Sequence, residues 1–120
     1  MSGFDFVADT NFLIDVHEGR DKVEPFLDSS VIVSVITEIE LLGWHKISTE
    51  EKHKLRALLD DCIVFELTAD IRKLAIEMRQ KTKIKTPDAI IAATAKYLQI
   101  PLVSSDKGFK NIGGIELILI

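Results

Sequence analysis

Phe6-Val7-Ala8-Asp9 runs three apolar residues straight into an acid, and Leu102-Val103-Ser104-Ser105-Asp106 repeats that arrangement toward the other end of the chain. Short, continuously apolar runs are what parallel strands covered on both faces require. Residues 4–8, 31–35, 63–67, 102–104 and 115–120 all read as such strands. The segments between them carry helix signals. Ser48 with Glu51 forms a capping box for a helix to about Leu59, and Thr68 caps a second over residues 69–80. Thr86-Pro87 starts a third, with proline at its first helical position. Strands alternating with helices imply βαβ units, so the sequence predicts an α/β chain in three layers, α/β/α, around a mostly parallel sheet of about five strands. Gly113-Gly114 marks the turn into the last strand, and no glycine-rich phosphate loop follows the first.

At 120 residues, 47% of them hydrophobic and 28% charged, residues 1–120 have room for one domain with one core. Cys62, the single cysteine, has no internal disulfide partner and sits beside Ile63-Val64-Phe65 as a core thiol. The start of the chain lacks the basic and apolar regions of a secretory signal, and no run approaches the ~20 apolar residues of a membrane span. A cytoplasmic protein without membrane attachment is therefore expected. A net charge of -4 argues against nucleic-acid binding overall. Local charge differs: Arg72, Lys73, Arg79, Lys81, Lys83 and Lys85 meet only one acid, Glu77, between Ile71 and Thr86. Such a stretch suits either a phosphate-facing patch or a solvated helix end.

Four acids stand where acids are costly. Asp9 and Asp106 follow strands, at the carboxyl ends where open α/β sheets place ligands, although helix caps and turns also use acids there. At about 100° per residue, Ile36, Gly43, Trp44 and Ile47 fall within about 80° of one another, with Glu40 in the middle of the arc and Glu38 opposite beside His45. That geometry predicts a solvated Glu38 and an inward Glu40. Asp88 shares a face with Ile91, Ala92 and Ala95, and its first-turn position is also favourable for any carboxylate. Several inward carboxylates need a neutralising partner. A hard divalent cation such as Mg²⁺ selects an all-oxygen donor set, whereas His17, His45 and His53 show no zinc spacing. The chemistry such a site supports best is phosphodiester hydrolysis, which needs no protein nucleophile.

Taken together, Val7-Ala8-Asp9-Thr10-Asn11, Ser34-Val35-Ile36-Thr37-Glu38-Ile39-Glu40-Leu41-Leu42-Gly43, Pro87-Asp88-Ala89-Ile90-Ile91-Ala92-Ala93-Thr94-Ala95 and Leu102-Val103-Ser104-Ser105-Asp106 closely resemble the PIN-domain family, in particular its short toxin members of the VapC type. The resemblance implies a Mg²⁺- or Mn²⁺-dependent endoribonuclease, often a homodimer held inactive by a small cognate antitoxin. It makes Asp9 a metal ligand, Asp106 a second acid at the metal, and Glu40 and Asp88 the acids that complete the cluster. Thr10, Asn11 and Ser104 match its supporting polar positions, with serine where the family commonly has threonine. In this light Lys81, Lys83 and Lys85 become candidate contacts to the RNA backbone. Residues 21–27 and 55–59 offer aliphatic surfaces on which an antitoxin could dock, although core packing explains them equally well.

Two other readings compete. A phosphorelay receiver shares the length and the alternation, but it needs an acid pair after the first strand and a phosphoacceptor ending the third. Here Thr10-Asn11 follows Asp9, and Thr68-Ala69 precedes Asp70. A PIN-like module that binds RNA or protein without cutting would be marked by a missing acid, and all four are present. An RNA-processing nuclease with no toxin role would carry the same site.

Overall fold

The computed structural model describes residues 5–120. Five parallel strands, β1 (Phe6–Ala8), β2 (Val31–Ser34), β3 (Ile63–Phe65), β4 (Leu102–Ser104) and β5 (Leu117–Leu119), form one sheet in the order β3-β2-β1-β4-β5. The helices are α1 (Thr10–His17), α2 (Val35–Leu42), α3 (Thr49–Asp60), α4 (Ala69–Lys81) and α5 (Thr86–Leu98), with 3₁₀ helices at Asp21–Phe26 and Lys107–Asn111.

Register sorts the side chains. Val7 pairs with Ile32 and Leu102, and these three face the layer that contains α4, α5 and the second 3₁₀ helix. Ala8 pairs with Val33 and Val103, and with Phe6 they face α1, the first 3₁₀ helix and α3. The strand period of two thus builds two cores, one on each face, and the expected α/β/α layering follows. On the second face Phe6, Phe12 and Phe26 meet edge to face with ring centroids 5.4 to 6.0 Å apart. α5 is the most enclosed helix: Ala89 through Ala95 are all buried, and its alanines let it lie close over β1 and β2.

Element boundaries depart from expectation by a few residues, for local reasons. The 31–35 strand stops at Ser34, whose hydroxyl accepts from the Ile36 amide and starts α2 at Val35 without a loop, so the cap overrides the β preference of valine. The 63–67 and 115–120 strands shorten to β3 and β5, and Phe4 lies outside the described residues. The Ser48–Glu51 capping box forms as expected, and Thr68 caps α4 through the Ile71 amide. α5 begins at Thr86 with Lys85 as its cap, so Pro87 takes the second helical position and not the first. Among the described residues no helix is long and apolar enough to cross a membrane.

Candidate active site

β1 lies at the topological switch point: the chain runs from it to β2 and β3 on one side, then crosses over to place β4 and β5 on the other. A cleft therefore opens beyond its carboxyl end. Asp9 stands at that end and caps α1. Its Oδ1 accepts from the Phe12 amide at 2.9 Å and its Oδ2 from the Ser104 hydroxyl at 2.6 Å. Ser104 also accepts from the Asp106 amide at 2.9 Å, so one buried hydroxyl at the end of β4 ties the two acids together. Asp106 in turn caps the second 3₁₀ helix, its Oδ1 accepting from the Gly108 amide at 2.8 Å. For Asp9 and Asp106 the capping role and a site role coincide, because a cap bond fixes the carboxylate and leaves lone pairs unused.

Asp88 enters from the first turn of α5, half-buried at the end of the face that Ile91, Ala92 and Ala95 bury. Glu40 comes from α2, its Oε1 accepting from the Thr10 hydroxyl at 2.7 Å. Thr10 is also bonded to Thr37 at 3.0 Å. Asp9, Glu40, Asp88 and Asp106 thus line one open pocket of about 280 Å³, with Thr10, Asn11 and Lys85 at its wall. Larger concavities exist elsewhere, but this is where the carboxylates converge.

Some expectations need correction. Glu40 faces the pocket but is exposed to solvent, while Glu38 is half-buried and paired with Arg56 at 2.9 Å. Only part of the arc assigned to Glu40 packs inward: Ile36 and Ile47 lie against the cores, but α2 ends at Leu42 and Trp44 is 50% exposed. Asn11 lines the pocket but makes no side-chain hydrogen bond to another described residue, whereas Thr10 and Ser104 do. Lys83 and Lys85 flank the acids, but Lys81 lines an adjoining groove at the end of α4. Val23, Leu55 and Leu59 are core residues, so packing accounts for most of the aliphatic surface at 21–27 and 55–59, with Leu27 exposed. Thr37 is a site residue that the sequence reading missed. It acts through Thr10 on α1, a contact between helices that the spacing within α2 does not signal.

The acids disturb one another. Burial, followed by the charges of Asp88 and Asp106, raises Asp9 to about 6 in spite of the bonds from Ser104 and Phe12. Asp88 is raised as well, first by burial and then by Asp106 and Glu40. None of the four is ion-paired with a described residue. Asp15, the other buried aspartate, shows the usual solution, with Arg20 at 3.1 Å and Lys22 at 3.2 Å. Asp9 is 2% exposed and has no such cation. Uncompensated, mutually repelling oxygen donors fit a hard divalent cation. Among the described residues no three acidic, histidine or cysteine side chains come together closely enough to hold a metal ion by themselves.

Comparison with known proteins bears on the fold and the family. The structure is similar to a toxin-antitoxin complex from Klebsiella pneumoniae, at 30% identity and a TM-score of 0.81 over 95% of this chain and 96% of that one. It is also similar to VapBC2 from Rickettsia felis bound to a promoter DNA fragment, at 20% identity and a TM-score of 0.85 over 98% and 99% of the two chains. VapBC-1 from nontypeable Haemophilus influenzae gives 20% identity and a TM-score of 0.82 over 97% and 98%. No curated protein matches in sequence. The family model for the PIN domain matches residues 6–115, from the first residue of β1 to just before β5, and so this chain belongs to the PIN-domain family.

Proposed function

We propose that this protein is an endoribonuclease that hydrolyses RNA phosphodiesters with Mg²⁺ or Mn²⁺ held by Asp9, Glu40, Asp88 and Asp106. The observation that carries the reading is Asp9, a buried carboxylate raised by burial and by neighbouring acids, with no cation among the described residues to balance it. When bound, the metal supplies Lewis acidity at the phosphate and makes a coordinated water more acidic.

The protein's own groups do the rest. Asp9 is held rigidly by two hydrogen bonds, so its remaining lone pairs point in a fixed direction. Asp106 is anchored by its amide on Ser104 and its Oδ1 on Gly108. Glu40 spends Oε1 on Thr10 and keeps Oε2 to orient a water. Asp88 stands in the first turn of α5, where the helix N-terminus favours a negative charge. Lys85 and Lys83 place positive charge at the mouth of an otherwise acidic site, where a polyanion must approach.

The likeness to toxin-antitoxin complexes supports the toxin role within a type II pair, with a small cognate antitoxin as partner. A homodimer in the cytoplasm is the working form we propose. The test is cleavage of a mixed RNA pool by the purified, folded protein freed of any inhibitor. Cutting with Mn²⁺ or Mg²⁺ that EDTA and Asp9→Asn both abolish is expected. Absence of cutting under every metal overturns the enzymatic reading in favour of a binding module.

A further inference from the structure

The cleft does not end at the acids. Lys85, Asp88 and Asp106 also line a second concavity of about 300 Å³ with Lys83 and Asn111. Thr82 and Asn111 carry it into a third, of about 270 Å³, between the end of α4, the last turn of α5 and the segment that follows Lys107–Asn111. Leu74, Met78 and Ile112 give this third concavity an apolar floor, with Lys81, Lys96 and Asn111 at its rim and Glu77 as its one acid.

Most lysines and arginines, Lys81, Lys83, Lys85 and Lys96 among them, pair with no carboxylate among the described residues. These four differ from the rest in lining the adjoining concavities that lead away from the acids. Lys96 is half-buried, and its stem lies against Gly114, which has φ +81 and where an added Cβ would meet Cε and Nζ at 3.1 Å. The absence of a side chain at Gly114 leaves room for that ammonium at the rim.

Resting on the nuclease reading above, we propose that this third concavity is a subsite for single-stranded substrate RNA. It holds one nucleotide away from the cut, with phosphates at Lys81 and Lys96, the base on the apolar floor and Asn111 at the base edge. Unpaired ammonium groups suit phosphates, and an apolar floor with an amide at its rim suits an unstacked base. Asp88 and Lys96 stand eight residues apart on α5. That is about 12 Å of helix rise, farther than one stacked base step. Only RNA extended on one side of the cut reaches the subsite.

The experiment uses a length series of single-stranded RNAs shortened stepwise from either end. It compares the wild type, Lys81→Ala/Lys96→Ala, Lys81→Arg/Lys96→Arg and Asn111→Ala. kcat/KM is read with Mn²⁺, and affinity with its salt dependence is read separately in an Asp9→Asn background where nothing is cut. The double alanine variant should lose tenfold or more in both readouts on long RNA, and nothing on RNA too short to reach. Its salt slope should fall by about 1.4, at about 0.7 per lost phosphate contact. Arginine should restore binding. Unchanged affinity and slope on long RNA, or equal losses on long and short RNA, overturn the subsite. Wild type that binds with the lysine-dependent slope but never cuts overturns the nuclease reading and leaves the subsite standing; cutting with an unaffected slope does the reverse.

Discussion

Ser104 carries more of the site than its size suggests. It donates to Asp9 and accepts from the Asp106 amide, so one hydroxyl sets the orientation of one acid and the position of another. Ser104→Ala should weaken the apparent Mn²⁺ affinity about 10–100-fold, as loss of a support behind a metal ligand generally does. Ser104→Thr keeps the hydroxyl and should stay close to wild type. The Mn²⁺ dependence of RNA cleavage checks both, and equal behaviour of the alanine and threonine variants would remove Ser104 from the site. At this scale the sequence was readable wherever an acid or hydroxyl ended an apolar strand, as at Asp9, Ser104 and Asp106. It was less readable on α2. Helical angle put Glu40 and Glu38 on different faces but had their exposure reversed, because angle alone could not show that α2 stops at Leu42 and leaves the Glu40 face open to solvent. The chain of hydroxyls from Thr37 through Thr10 to Glu40 joins two helices, and no spacing within one helix reveals such a contact.

Among the elements, strands β1 and β4 and the caps of α3 and α4 could be read directly, because each is written in neighbouring residues. Boundaries drifted where two local rules competed, as at Val35, where strand preference met the Ser34 cap. The end of α5 gave no warning. Gln99 closes that helix in the left-handed region at φ 57, the one non-glycine residue with positive φ among those described. A side chain there is strained, and glycine is the usual occupant of such a position. Gln99→Gly should therefore stabilise the protein by about 0.5–1 kcal/mol, less what glycine adds to the freedom of the unfolded chain. The urea midpoint reads this directly. A lower midpoint would mean that the Gln99 side chain contributes contacts outweighing the backbone strain.

For the whole molecule, the acid cluster makes stability depend on pH in an unusual direction. Asp9 is lifted from 3.8 to about 6, chiefly by burial. The folded state therefore holds that proton more tightly than the unfolded chain, and ionising it in place destabilises the fold. Metal-free protein should lose stability as pH rises through that window, by roughly 3 kcal/mol at about 1.4 kcal/mol per pH unit. Asp9→Asn lacks this dependence, so the difference in unfolding free energy between it and the wild type should move in its favour from about pH 4 to about pH 7. Mn²⁺ at neutral pH should then stabilise the wild type selectively. A difference that stays flat across pH would show that Asp9 is not the group responsible. The strand order has a consequence of another kind. β1 is made before β4, one of its two neighbours in the sheet, with β2, β3 and all five helices between them in the chain. A nascent chain that has not released residues 102–106 carries Asp9, Glu40 and Asp88 but lacks the Ser104 tether and the fourth acid. Long-range parallel pairing also forms late in folding. A chain wired this way cannot assemble its full set of acids until β4 has joined β1.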